Sequence, residues 1–465
     1  MLLVLAAVAG AETRNVSVDA SHVTGKIRSF QGVNCGPSPL MSPLPDVGRQ
    51  YRDLKIDMVR VHDFFGPGDI DARWVEPLDP ISRSVKADGA KSIFPNWDAD
   101  PEKESSYHFE PTDRVIGAIV ASGAEVYFRL GRSWGADAKP PADPAKFANI
   151  CKHVAMHYNG GWAHGYDYKI RYWEVWNEPD VKVEWAPNFI RPFWTGTPQQ
   201  FYELYKQVAR ALKEYDPSLR VGGPAKAAPE LADGYREAFL QYCAAERLPL
   251  DFYSWHLYQS NRTPDPYYLV ETARKMRGML DAGGFGKAES ILSEWNMKAD
   301  PNAAAPDGMQ NVAFIGTAMA YLQDAPLDRA LYYRGDPTRT GLFDSSGRYR
   351  KKGQVFKMLG GFQSTPERLE VTGADTRGLA VLAGRKADGR AVQVLIAHYG
   401  TEPVEYKLSV TNLPWGEGEF EVQRYRITGE PDLGAGQAET ARGGKLELSG
   451  TLPGYGVELT VLRRK

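Results

Sequence analysis

The sequence predicts an α/β fold, a (β/α)8 TIM barrel followed by a C-terminal all-β, sandwich-like domain. Three observations lead there. Strand-like apolar runs alternate with helix-patterned stretches from about residue 30 to residue 360, and eight such strands can be counted. Near residue 365 helical periodicity stops and two-residue alternation replaces it. The 465 residues are too many for one ordinary core, whereas a barrel alone takes up roughly 250 residues or more. The expected organisation is an apolar leader at 1–11, a strand within 12–29 that joins the β domain, the barrel over 30–364 and the β domain over 365–465.

Residues 1–9 (MLLVLAAVA) form an apolar run ending in Ala9-Gly10-Ala11, the small-residue form of a signal-peptidase site, with no basic start before it. This fits an export signal clipped at its start or an ordinary apolar terminus; the reading taken is export, to the periplasm or outside the cell. The barrel strands are placed at 30–34, 57–62, 124–130, 170–177, 219–223, 251–256, 289–294 and 330–334, with helices at 112–122, 144–158, 198–215, 266–282 and 309–323. Thr197-Pro198 is a helix start and Asp216-Pro217 a stop. A doubly wound sheet is the competing arrangement. The connection at 63–110 is long, and loops of that length in a compact domain usually serve function. In the tail, alternation marks strands at 378–383, 391–398, 404–410, 418–427, 444–449 and 456–463, with a hairpin at Asp388-Gly389. Residues 14–20 alternate as well and suit the same β domain.

Composition narrows the function. The chain has 56 basic and 58 acidic side chains, a balance that leaves no electrostatic footprint for nucleic acid or an anionic membrane. Cys35, Cys151 and Cys243 are an odd, scattered set that suits buried free thiols rather than a disulfide framework or zinc ribbon. Beyond the N-terminal run, no segment reaches the roughly 18 apolar residues of a membrane span. No GxGxxG follows a strand, and there is no Walker loop, so no cofactor is expected. His153 and His157 stand one helical turn apart but lack a third ligand and the His-Glu-x-x-His form; they read as a helix surface, and no metal is expected. Ten of the eleven Trp lie between Trp74 and Trp295, a clustering that hints at a flat-faced ligand.

In a barrel of this kind chemistry sits at the C-terminal ends of the strands. Glu178, in EVWNEPD, closes the fourth barrel strand and Glu294, in ILSEWN, closes the seventh. Those strands face each other across the mouth. Cleavage of a glycosidic bond needs one carboxyl to protonate the leaving oxygen and a second to attack the anomeric carbon or activate water. Pro179 restricts its predecessor to extended backbone, which should end the strand and hold Glu178 at the rim.

The blocks YWEVWNEPD (172–180), FWTGTPQQFYELYKQVARALKEYDPSLRVGGPA (193–225), DFYSWHLY (251–258) and ILSEWN (291–296) resemble glycoside hydrolase family 39, of the clan A barrels. The resemblance implies a retaining hydrolase with Glu178 as acid/base and Glu294 as nucleophile. It also implies a sugar 2-hydroxyl contact for Asn177, which could otherwise cap a turn. Substrate binding by His62 and His256 and a hydrogen bond from Tyr258 to the nucleophile follow from it too. Asp63 stands where the family commonly has Gly.

Arg60 shares a strand face with His62 and is expected either at the substrate site, keeping a carboxylate ionised, or in a structural ion pair. Trp295 and Trp97 are expected as stacking platforms, with core packing the alternative for Trp97. Trp173 and Trp176 have opposite parity, so one of them should face the barrel interior. Lys298, Arg132 and Arg334 could recognise a carboxylated sugar. The reading is a cofactor-free retaining glycosidase acting on carbohydrate, of β-xylosidase type. Alternatives are an α-L-iduronidase-like or endo-acting hydrolase of a uronic-acid-containing or bacterial exopolysaccharide, and a non-catalytic carbohydrate-binding barrel.

Overall fold

The computed structural model describes residues 13–38, 44–73, 92–181, 192–227, 234–259, 264–297, 308–427, 436 and 438–465. The apolar leader, Trp74 and Lys298 lie outside these residues. The chain begins with β1 (Arg14–Lys26) and enters the barrel at β2 (Gly32–Asn34). It continues through α1 (Gly48–Leu54), β3 (Met58–Val61), α2 (Glu110–Ser122), β4 (Glu125–Leu130), α3 (Pro144–Gly160), β5 (Tyr172–Val175) and α4 (Pro198–Tyr215). The second half comprises β6 (Arg220–Lys226), α5 (Tyr235–Ala245), β7 (Phe252–Gln259), α6 (Tyr268–Ala282), β8 (Glu289–Met297), α7 (Met309–Tyr321), β9 (Arg329–Tyr332) and α8 (Lys351–Gly360). Strands β2 to β9 close in that order into a parallel barrel, as the alternation predicts and a doubly wound sheet does not.

Local chemistry accounts for the boundaries. Thr197 caps α4 in a full capping box with Gln200, and Pro198 takes the first helical position, where its missing N–H costs nothing. Asp143 caps α3 through the N–H groups of Ala145 and Lys146. The floor of the barrel is one apolar layer, Met58, Tyr127, Tyr172, Phe252, Ile291 and Leu331, each from a different strand. By the period of two, the next inward residues above that floor are Arg60, Arg129, Glu174 and Ser254, so the interior turns polar towards the C-terminal mouth.

After α8 the chain forms β10 (Glu367–Thr372), β11 (Leu379–Arg385), β12 (Ala391–Tyr399), β13 (Val404–Thr411), β14 (Glu419–Ile427), β15 (Glu439–Arg442), β16 (Leu446–Leu452) and β17 (Tyr455–Arg464). These strands and β1 make one continuous nine-stranded sheet rather than two separate ones, with β1 between β10 and β13. The sheet curls until its distant strands meet: the Tyr406 hydroxyl of β13 donates to Glu458 of β17 at 2.8 Å. Helix α7 joins the two parts. It is buried almost all round, and a Cβ on Gly316 would stand 3.0 Å from Val457 and 3.3 Å from Ala397. Only glycine lets the helix sit that close to the sheet.

The tryptophan clustering has a different cause from the one expected. Trp173 stacks on Phe128 at 5.1 Å, and Trp176 meets Trp194 at 5.2 Å and Phe147 at 5.8 Å, all in the layer between barrel and helices. Neither faces the barrel interior. Strand β5 stops at Val175, and Trp176, at φ 70°, leaves the alternation that would have pointed it inward. His153 and His157 are buried rather than on a helix surface. His157 is stacked on Phe109 at 3.6 Å and held by Asp113 at 3.0 Å. The three cysteines are free and buried. Among the described residues no helix is long and apolar enough to cross a membrane.

Candidate active site

Seven of the nine residues singled out from the sequence gather at the C-terminal mouth of the barrel; Trp295 and Trp97 do not. Glu178 follows β5, and Glu294 lies in β8 beside His256 of β7. One oxygen of each acid and a ring nitrogen of His256 all lie within 4.8 Å of one another. Glu178 Oε1 is hydrogen-bonded to His256 Nδ1 at 2.8 Å. Glu294 receives Arg60 Nη1 on Oε1 at 2.6 Å and the Tyr258 hydroxyl on Oε2 at 2.5 Å. His62 Nε2 lies 3.4 Å from Oε1.

Arg60 is the hub of the arrangement. Its Nε donates to Glu174 at 2.6 Å, Nη1 to Asn34 at 3.0 Å as well as to Glu294, and Nη2 to Asn177 Oδ1 at 2.7 Å. Nη2 also stands 2.6 Å from Glu174, so all five guanidinium protons have an acceptor. The side chain is fully buried with its donors all engaged by protein acceptors, so none is left for a substrate, which corrects its placement among the binding residues. It acts instead as a fixed cation that holds Glu294 and Asn177 in register. Asn177 spends its oxygen on Arg60, while its buried Nδ2 has no hydrogen-bond partner among the described residues. An unmet buried donor is costly in the empty site, and a sugar hydroxyl would relieve it.

The environments of the two acids push them apart. Burial raises Glu178 to about 8, with the Asp180 carboxylate adding to the rise and Arg60 opposing it. Burial also raises Glu294, and the neighbouring Glu178 adds to the rise, while Arg60 and the Tyr258 hydroxyl oppose it. The acid without a direct cation partner is thus the one driven towards its protonated form, while Arg60 favours the carboxylate form of Glu294. Burial also lowers His62 and His256, with Arg60 adding to it in both, so both rings are neutral. The Glu178–His256–Glu294 group has ligand-like spacing, but the Glu294 oxygen facing His256, Oε2, already accepts the Tyr258 hydroxyl.

Backbone geometry departs from the expectation at Glu178. Its φ is 45°, in the left-handed region, rather than extended as Pro179 was expected to impose. The strand has already ended at Val175, and the Glu178 N–H donates to Ala225 O at 3.1 Å, so the neighbouring strand holds the turn. Strain of this kind persists where surrounding structure over-determines it, as at active sites.

The residue profile of glycosyl hydrolases family 39 matches residues 109–295. The crystal structure of a glucosidase from Croceicoccus marinus superposes with a TM-score of 0.85 and 30% identity, covering 98% of this chain and 100% of that one. The chain belongs to glycosyl hydrolases family 39. A beta-xylosidase of Geobacillus stearothermophilus is 26% identical over 257 residues, 49% of this chain and 48% of the relative. One from Caldicellulosiruptor saccharolyticus is 29% identical over 242 residues, 49% of this chain and 44% of the relative. The match therefore spans about half the length of these curated relatives.

Within this family 39 chain, several assignments change. Trp295 is not a platform: it is fully buried, edge-on to Tyr332 at 5.2 Å and near Phe314 of α7 at 6.4 Å. The register between β7 and β8 slips by one residue before Glu294, so Ile291 and Glu294 both face inward and Trp295 faces the helices. Trp97 lies against the Lys146 ammonium of α3 at 5.5 Å, part of the packing outside the barrel. His256 is fully buried and its Nδ1 holds Glu178, while its Nε2 has no hydrogen-bond partner among the described residues. Tyr258 makes the bond to Glu294 that the resemblance implied.

The rim contains aromatic residues that sequence reasoning missed. Phe193 is half-buried, with its ring 5.7 Å from that of His62, and Tyr333 lies 6.1 Å from Tyr258. Phe193 stands inside the family-like block at 193–225, which was the available signal. Asp63 adopts φ 52°, which explains why glycine suits this position. Its carboxylate accepts the Trp134 N–H at 2.9 Å and the Tyr333 hydroxyl at 3.0 Å, tying three loops together. Glu174 and Asn34, the other partners of Arg60, were also missed. Glu174 shared the inward parity of Tyr172, but nothing local marked it as a cation's partner.

Proposed function

We propose that the protein is a retaining glycoside hydrolase of β-xylosidase type. Glu294 attacks the anomeric carbon while Glu178 protonates the leaving oxygen; Glu178 then takes a proton from the water that frees the sugar. The observation that carries this reading is the close approach of the two carboxyl groups. Oxygens within 4.8 Å of each other suit the roughly 5–5.5 Å carboxyl separation of double displacement better than the roughly 6.5–9.5 Å of an inverting enzyme. The orphaned Asn177 Nδ2 is placed to meet the sugar 2-hydroxyl, a contact that strengthens in the transition state.

Likeness to two beta-xylosidases favours xylose. Glucose is the second reading, because the glucosidase from Croceicoccus marinus is matched over its whole length. Among the described residues, the cations expected to recognise a uronic acid are already paired. Arg132 is paired with Asp71, Arg334 with Asp336 and Lys226 with Asp180, so these cations are already neutralised. The substrate is carbohydrate and no cofactor takes part in the proposed steps. We place the protein in the periplasm or outside the cell on the strength of residues 1–11.

A panel of nitrophenyl glycosides and polysaccharides, with product sizes recorded, tests the reading. Release from the xyloside above the glucoside supports it, the reverse order moves the substrate to glucose, and binding without any release would make the barrel a binding module. Glu294→Ala should abolish turnover of an activated aryl glycoside, and added azide should give the glycosyl azide of inverted configuration. Unchanged turnover would remove Glu294 from the mechanism.

A further inference from the structure

The second buried arginine of the barrel interior, Arg129 on β4, has no role in the scheme above. It lies one layer behind His62. Its Nη2 pairs with Asp69 at 2.9 Å, and both are almost wholly buried. Asp69 is itself fixed by the Ser133 hydroxyl at 2.9 Å and the Gly66 N–H at 2.8 Å. So anchored, Arg129 directs its Nε–H at His62 Nδ1, 3.2 Å away. A guanidinium carries its protons at every working pH and can only donate. Nδ1 must therefore be the bare, accepting nitrogen, and the ring proton sits on Nε2. Protonating both nitrogens would set one N–H against another.

We propose that Arg129 is a positioning residue that locks His62 as the neutral Nε2–H tautomer, beside the nucleophile. The catalytic consequence rests on the glycosidase reading. His62 Nε2 lies 3.4 Å from Glu294 and 3.5 Å from Asp63, where its N–H can meet a sugar hydroxyl. The transition state of glycosidic cleavage is oxocarbenium-like, with positive charge growing on the sugar. An imidazolium at that spot would repel it in a site sheltered from water. The lock keeps the donor and excludes the charge. Other charged or titratable groups around the ring act in the same sense or are balanced. Arg60, His256 and Arg334 disfavour a further positive charge, while Glu294 and Asp63 on the sugar side would favour one. Arg129 is the group that keeps Nδ1 bare, while Glu294 and Asp63 draw the proton to Nε2.

Long-range 1H–15N NMR on the full chain labelled with 15N-histidine reads the tautomer without substrate, with the His62 signals assigned by their loss in His62→Gln. Expected is a bare Nδ1 and a protonated Nε2, unchanged from about pH 5 to about pH 9. A proton on Nδ1, or titration of His62 within that range, would overturn the proposal. Arg129→Met combined with Asp69→Asn removes the donor together with its counter-charge. In that variant the block on protonating Nδ1 is removed, so His62 should begin to titrate. kcat/KM should then gain an acid limb that falls about tenfold per pH unit. A folded double variant that keeps the wild-type tautomer and pH profile would show that Arg129 only packs. If the double variant does not fold, the wild-type tautomer alone decides. Failure of the glycosidase reading would appear separately, as absence of turnover with the NMR result intact.

Discussion

Glu178→Gln should stabilise the protein, and the gain should grow with pH. Glu178 is raised from an ordinary carboxyl value of 4.5 to about 8, chiefly by burial. The folded state therefore binds a proton that the unfolded chain has already released. A group raised in this way contributes most below its unfolded value and loses that contribution as pH climbs through the folded value. At about 1.4 kcal/mol per unit, 3.5 units give an upper limit of about 5 kcal/mol. Most of that is lost between pH 5 and pH 8. A side chain with 16% of its surface still exposed lowers this limit somewhat. Glutamine mimics the protonated acid, keeps a partner for His256 Nδ1 and does not titrate. Urea unfolding of the wild type and Glu178→Gln at each pH unit from 5 to 9 measures the difference. The gap should widen by about 3 kcal/mol between pH 5 and pH 8. Parallel curves would refute burial of a neutral Glu178, and with it the reason this acid can donate a proton at neutral pH.

Glu178→Ala should slow hydrolysis of poor leaving groups far more than that of nitrophenyl glycosides, as steady-state kinetics across a leaving-group series would show; equal losses would argue against its acid role. Arg60→Met leaves the buried Glu174 and Glu294 carboxylates without their cation, and chemical denaturation should register a loss of about 3–5 kcal/mol. Trp295→Phe should lower stability while leaving KM for the glycoside unchanged, since its ring faces α7. Phe193→Ala should raise KM with little change in melting temperature.

Period and punctuation made the eight barrel strands legible, because the burial that shapes a strand is recorded in its own alternation. The all-β tail was legible for the same reason, apart from β10 and β15, in which only Leu369 is buried and which carry little apolar signal. Glu178 and Glu294 could be read because strand ends in a barrel point to a shared mouth. The helix-side tryptophans were misread as ligand-facing. Trp176 left the alternation of its strand at φ 70°, and for Trp295 a one-residue slip of register changed which residues faced in.

The sequence alone thus determined the order of the elements, the two acids and the chemistry their pairing allows. Only the tertiary structure decided which acid is protonated, where Arg60 spends its five protons and which histidine nitrogen is bare. Those properties are sums over groups far apart in the chain: Arg60 and Glu294 are separated by 234 positions yet meet at 2.6 Å. Alternation along a strand records which way a side chain points. Desolvation and charge pairing arise only once the barrel has closed around it.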